Sequence, residues 1–125
     1  MRILLIDDSR TMRNIARAVL AQLGHYDVDE ACDGREGLAR SIFTRPDLVI
    51  VDGKMPVMDG FAFVRAFREQ NPATPVILLV AQEDEFDLDQ PPWGIQAVAV
   101  KPFTPAHLRS KIESCLPPAD LQAAA

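Results

Sequence analysis

Three apolar runs, each ended by charged side chains, constrain this chain more than any other feature. They are Ile3-Leu4-Leu5-Ile6 before Asp7-Asp8, Leu48-Val49-Ile50-Val51 before Asp52, and Ala97-Val98-Ala99-Val100 before Lys101-Pro102. Short continuous apolar runs between polar turns suit strands covered on both faces, as in a parallel sheet. Open parallel sheets bind ligands outside the carboxyl ends of their strands, where the strand order reverses. Asp7, Asp8, Asp52 and Lys101 stand at such ends and together define one candidate site.

The rest of the chain alternates helix and strand patterns. Ser9 is placed to cap a helix whose apolar residues, Met12, Ile15, Ala16, Val19, Leu20 and Leu23, follow amphipathic spacing, and Gly24 ends it. Tyr26 to Ala31 reads as a short, more polar strand suited to a sheet edge. A second helix runs from Arg35 to Thr44 and stops before Pro46, with Asp47 leading into the third strand. Gly60 opens a third helix with Phe61, Val64 and Phe67 on one face. Pro75 introduces Val76 to Val80, the most apolar strand. Pro105 lies near the start of a last helix bearing Leu108, Ile112, Cys115 and Leu116. Between Ala81 and Gly94, five acids, weak apolar periodicity and Pro91-Pro92 predict a short or irregular fourth helix and then an extended stretch.

This alternation predicts an α/β fold, a doubly wound five-stranded parallel sheet with helices on both faces and right-handed crossovers. With the first strand at the centre, the order is the flavodoxin-like 2-1-3-4-5, and the charged strand ends share a cleft. The 125 residues suit one core, with 1–116 as the domain and 117–125 as a tail or the start of a linker. No apolar run is long enough to insert into a membrane, and the first residues do not resemble a signal peptide. A net charge of −5 without a basic stripe argues against direct nucleic-acid binding. Cys32 and Cys115 fit no metal-ligand spacing and read as small buried hydrophobes in a reducing compartment, so a cytoplasmic location is expected. His25 and His107 have no partners at ligand spacing.

Clustered carboxylates repel one another, which raises the pKa of at least one unless a cation neutralises them. Mg²⁺ suits them, being hard, octahedral and satisfied by a few carboxylates, a carbonyl and waters. With the metal and the Lys101 ammonium nearby, Asp52 is ionised and able to attack a phosphoryl group. Any single aspartate here is more simply a helix cap or a loop opener. The coincidence of all of them at matched strand ends points to a site.

Ile6-Asp7-Asp8-Ser9, the run Asp52-Gly53-Lys54-Met55-Pro56-Val57-Met58-Asp59-Gly60, and Val100-Lys101-Pro102-Phe103 carry a resemblance. From Arg2 to Leu116 the chain resembles the receiver domain of bacterial two-component response regulators, of the chemotaxis-receiver kind. The resemblance implies that Asp52 is the phosphoacceptor, loaded by a histidine kinase or a histidine phosphotransfer protein. It implies Mg²⁺ held by Asp8 directly, Asp7 through water, Asp52 and the backbone carbonyl of Lys54. Lys101 would pair with the phosphoryl oxygen, and the peptide before Pro102 would be cis. Such a domain signals through altered partner binding and assists only its own phosphorylation and dephosphorylation, so it is not an enzyme acting on a separate substrate.

The departures are equally specific. The family's hydroxyl residue at the end of the fourth strand falls on Val80, and its aromatic residue three positions before Lys101 falls on Val98. Both moving parts of the usual switch are therefore missing. Accepting phosphate does not need them, but the usual conformational output does. This leaves an alternative, a pseudo-receiver that acts as a phosphorylation-independent interaction module. Movement of the Lys54 loop or of Glu83–Trp93 is the expected substitute for the switch. An aspartate-nucleophile phosphatase is set aside because Asp7 and Asp8 are adjacent rather than in an Asp-x-Asp arrangement. A flavin or dinucleotide carrier is set aside because the first loop is acidic and not glycine-rich.

Lys54 and Gln82 occupy positions that, by resemblance, tune hydrolysis of the acyl phosphate. Arg10, Arg13 and Arg17 share the exposed side of the first helix, where they are either simply solvated or meet a phosphodonor. Phe86, Leu88 and Trp93 either cover the sheet or, with the surrounding acids, recognise a partner. The output partner is unknown from the sequence. A homodimer through the last strand and helix is compatible with it, although no residue argues for one.

Overall fold

The computed structural model describes residues 1–24, 26–81 and 90–116. Along the chain these form β1 (Arg2–Ile6), α1 (Arg10–Leu23), β2 (Asp27–Ala31), α2 (Gly34–Thr44), β3 (Leu48–Asp52), α3 (Gly60–Arg68), β4 (Val76–Ala81), β5 (Ala97–Lys101) and α4 (Pro105–Cys115). The five strands make one sheet in the order β2-β1-β3-β4-β5, as the alternation predicts. Every pairing is parallel.

Successive side chains of a strand point to opposite faces, so each apolar run feeds two cores. Ile3, Leu5, Leu48, Ile50, Ile77 and Leu79 face α1 and α4, meeting Ala16, Val19, Leu20, Leu108 and Ile112. Leu4, Ile6, Val49, Val51 and Leu78 face the other way, against Phe63, Val64 and Phe67 of α3. Full burial of such a side chain is worth about 1.5–3 kcal/mol, and β3 is buried along its whole length. The edge position of β2 explains its polar sequence, since only Ala31 is fully buried.

Each helix starts where a side-chain oxygen satisfies its first free amides. Ser9, Asp33, Asp59 and Thr104 accept from the backbone N–H of Met12, Glu36, Ala62 and His107 respectively. Such caps contribute about 1 kcal/mol apiece. The last residue of α3, Arg68, is buried despite its charge. Its Nε and Nη2 donate to Gly94 O, Nη1 donates to Asn71 O at 2.8 Å and Thr74 O at 2.6 Å, and Nη2 also reaches Gln96 Oε1 at 3.0 Å. One guanidinium thus ties the end of α3 to the segment entering β5.

Several expectations need correcting. The buried face of α3 is Phe63, Val64 and Phe67, while Phe61 is only half-buried against the same core. Cys32 is exposed and so is not a core hydrophobe, while Cys115 is half-buried and packs against the core on the α1 and α4 side. Trp93 does not cover the sheet: it is 70% exposed. Gln82, Phe86, Leu88, most of the predicted fourth helix, His25 and the 117–125 tail lie outside the described residues.

Candidate functional site

The register of the sheet assembles the site. Ile6 pairs with Val51, so Asp7 and Asp8 leave β1 beside Asp52 at the end of β3. Ala81 pairs with Lys101, which brings the ammonium to the same end of the sheet. Asp7 and Asp52 are buried and Asp8 is exposed, and one carboxylate oxygen from each lies within 4.8 Å of the others. Lys101 Nζ stands 3.2 Å from Asp7 Oδ2 and 3.2 Å from Asp52 Oδ2.

Backbone groups hold the carboxylates in place. Ser9 N–H donates to Asp7 Oδ1 at 2.8 Å, and Lys54 N–H points at Asp52 Oδ1 at a long 3.4 Å. Burial and then the neighbouring Asp7 charge raise the pKa of Asp52, while Lys101 and the Lys54 amide oppose the rise. Three carboxylates facing one ammonium leave the cluster with a surplus of negative charge. Hard oxygen donors with one exposed member suit a hard divalent cation such as Mg²⁺.

The loop after β3 is clamped on both sides. A side chain at Gly60 would collide with the carbonyl of Asp52, so only glycine lets α3 begin this close to the acid site. Gly34 N–H donates to Met58 O at 3.0 Å, and a Cβ at Gly34 would lie only 2.6 Å from that oxygen. Between these clamps, Met58 N–H donates to Pro56 O at 2.8 Å around Val57, whose φ is 70°. A β-branched residue at positive φ is strained, and Val57 is also 74% exposed.

The structure brings together Asp7, Asp8, Asp52 and Lys101, with the backbone of Lys54 beside them and its side chain exposed. The peptide between Lys101 and Pro102 is cis, as the resemblance implies. Val80 and Val98 are both buried in the core on the α3 side.

The arginines of α1 are not alike. Arg10 and Arg17 are exposed, but the Arg13 side chain is only 17% exposed. Its Nε pairs with Glu30 Oε1 at 2.9 Å and its Nη1 donates to Asp7 O at 2.6 Å. Sequence reasoning placed Arg13 on an open face. The missed signal is the acidic Glu30 on the adjoining edge strand. A second group, Cys32, Asp33 and Glu36, also clusters. Its members are already paired: Cys32 Sγ donates to Glu36 Oε2, Arg40 Nε binds Glu36 Oε1, and Asp33 caps α2.

An acid cluster with a lysine, set at the carboxyl end of a sheet ordered 2-1-3-4-5, defines a receiver-type signalling domain. Residues 3–113 match the response regulator receiver domain family, and the chain belongs to that family. It is 30% identical over 119 residues to the alkaline phosphatase synthesis transcriptional regulatory protein PhoP of Bacillus subtilis, covering 92% of this chain and 48% of that protein. It is 39% identical over 118 residues to the probable transcriptional regulator ycf27 of Porphyridium aerugineum, with coverages of 92% and 48%. The chain thus spans about half the length of these relatives. Among solved structures, the chemotaxis response regulator CheY4 of Vibrio cholerae superposes with a TM-score of 0.79 at 35% identity, covering 92% of this chain and 98% of that one. A response regulator receiver domain protein from Clostridium thermocellum gives a TM-score of 0.80 at 28% identity, with coverages of 97% and 98%.

Proposed function

We propose that this receiver domain, residues 1–116, takes a phosphoryl group onto Asp52 from a histidine kinase or a histidine phosphotransfer protein. The observation that carries the reading is the buried Asp52 within reach of both Asp7–Asp8 and the Lys101 ammonium. Asp7, Asp8, Asp52 and the Lys54 carbonyl are the groups that would hold Mg²⁺. When bound, the metal neutralises the carboxylates and offsets charge on the phosphoryl oxygens. Asp52 supplies the attacking oxygen. Its bond to phosphorus forms as the bond from phosphorus to the donor imidazole breaks, and the imidazole leaves as the neutral ring after taking a proton. Lys101 is released from Asp52 to pair with a phosphoryl oxygen. The Lys54 side chain, exposed on the loop after β3, would slow attack by water.

The output follows an unusual route. Val80 and Val98 have no hydroxyl or aromatic ring to exchange positions, so the response passes through the Lys54 loop or Glu83–Trp93 to an as yet unnamed output partner. The free thiols of Cys32 and Cys115 are consistent with a cytoplasmic location. Residues 117–125 serve as a tail or the start of a linker.

The test is incubation with a small-molecule phosphodonor, with and without Mg²⁺, read by intact mass beside Asp52→Ala. A Mg²⁺-dependent single phosphate adduct that the variant lacks is expected, with amide shift changes in the Lys54 loop. Absence of the adduct with both small donors and a phosphorylated histidine protein would leave the pseudo-receiver reading, which Val80 and Val98 favour.

A further inference from the structure

Arg13 lies outside the acid cluster, yet its guanidinium makes a short, charge-assisted hydrogen bond to the backbone that carries it. Its guanidinium bridges two elements, Glu30 on β2 and the carbonyl of Asp7 just past β1. Glu30 is itself held from the other side by Arg17 at 3.2 Å. Arg13 N–H also donates to Ser9 O at 3.1 Å, so backbone and side chain of one residue grip the turn at both ends. Around Asp7 every polar group is then engaged. Its N–H donates to Ala31 O, Oδ1 accepts from Ser9 N–H, Oδ2 faces Lys101, and its carbonyl accepts from Arg13.

We infer that Arg13 is a positioning residue for the metal ligands, fixing the Asp7–Asp8 peptide plane so that the Asp8 carboxylate faces Asp52. This rests on the Mg²⁺ reading above. The argument is geometric. A peptide plane between two turn residues rotates readily unless its carbonyl is held, and rotation here swings Asp8, the exposed ligand, away from the other two. A charge-assisted bond from a guanidinium already locked by Glu30 removes that freedom before any cation arrives. Glu30 also neutralises Arg13, so the anchor adds little repulsion toward a cation. Partners of this kind, which orient ligands without touching the metal, typically change metal affinity by about 10–100-fold when removed.

Two explanations differ in sign. Were Arg13 acting only as a nearby positive charge, Arg13→Ala would tighten Mg²⁺ binding and Arg13→Lys would leave it unchanged. Positioning requires the fork that spans Glu30 and the Asp7 carbonyl, so both variants should weaken binding. The experiment is a calorimetric Mg²⁺ titration of the full chain and of Arg13→Ala, Arg13→Lys and Glu30→Gln, with thermal melts in EDTA to establish folding. The expected result is about a tenfold weaker Mg²⁺ affinity for the two Arg13 variants and a smaller loss for Glu30→Gln. At saturating Mg²⁺, phosphorylation of the Arg13 variants should approach the wild-type rate. Folded Arg13 variants that bind Mg²⁺ as well as or better than wild type would overturn the inference. If Arg13→Ala does not fold, Arg13→Lys decides it by the same comparison, because it keeps the charge and loses only the fork. A wild-type chain that binds no Mg²⁺ would instead bring down the metal reading, and the inference with it.

Discussion

The two ends of the sheet each bury charge, and they handle it in opposite ways. At the amino ends of β4 and β5, Arg68 is surrounded by neutral acceptors, the carbonyls of Asn71, Thr74 and Gly94 and the side chain of Gln96. Burial lowers its pKa, and among the described residues its hydrogen-bond partners are all neutral oxygens; the cost is met by filling its donors. At the carboxyl ends, Asp7 and Asp52 share one lysine, and Asp8 adds further negative charge at the rim. A buried charge with its hydrogen bonds complete closes the fold; a cluster left with surplus charge is poised to take a ligand.

The comparison predicts its largest effect at Arg68. Replacing it with methionine keeps the stem but leaves carbonyls at Gly94, Asn71 and Thr74 without their donor. Each unsatisfied buried group costs about 1–3 kcal/mol, and partial access of water reduces the sum, so a loss of about 3 kcal/mol is expected. Urea unfolding should show a lower midpoint with the slope retained, while Mg²⁺ binding by the folded protein stays the same. Altered Mg²⁺ affinity in a folded Arg68→Met would show that the two ends are coupled.

A change of opposite sign is expected at the acid end. Asp52 has its pKa raised above 3.8 by burial and by Asp7, so ionising it is harder in the folded chain than in the unfolded one. That destabilises the metal-free protein as pH rises above the unfolded value, and the penalty is absent in more acidic solution. Asp52→Asn removes it. In EDTA at neutral pH the variant should melt a few degrees higher than wild type, with the advantage disappearing below about pH 3.8. Added Mg²⁺ should raise the wild-type melting point more than that of Asp52→Asn. A variant less stable than wild type in EDTA would mean that the Lys101 contact outweighs burial and repulsion.

The contrast also explains what the sequence made legible. Apolar runs report burial directly, so the strands, their order and the charged residues at their ends could all be read in advance. Helix α3 was harder, because Phe61, Phe63, Val64 and Phe67 offer two overlapping apolar stripes, and only packing against β3 and β4 selects the one with Phe63. Arg68 and Arg13 were read wrongly or not at all for one reason. A charged residue on an amphipathic helix defaults to solvent, and what draws it inward is an acceptor distant in sequence: Gly94 for Arg68, Glu30 and the Asp7 carbonyl for Arg13. Cys32 failed in the opposite sense. A small apolar thiol defaults to the core, but it follows an edge strand and turns outward to Glu36.

That pair supplies the smallest effect and a control for the comparison, since it couples a proton to a carboxylate at the surface. The Cys32 thiol donates to Glu36 at 3.0 Å, which raises its pKa above the ordinary 9.0, with slight desolvation and then the Glu36 and Asp33 charges adding to the rise. The same bond lowers the pKa of Glu36. The thiolate is the reactive form, so a raised pKa means slower alkylation at a fixed pH. Glu36→Gln keeps the side-chain length and an acceptor but removes the charge, so Cys32 should titrate lower and react with iodoacetamide a few times faster at mildly alkaline pH. Because the pair is solvent-exposed, the melting temperature should hardly move. Separate peptide mapping distinguishes Cys32 from Cys115, whose thiol is held up by burial and should be indifferent to Glu36. If Glu36→Gln instead lowered stability as much as Arg68→Met, exposure would have failed to separate the small electrostatic effects from the large ones.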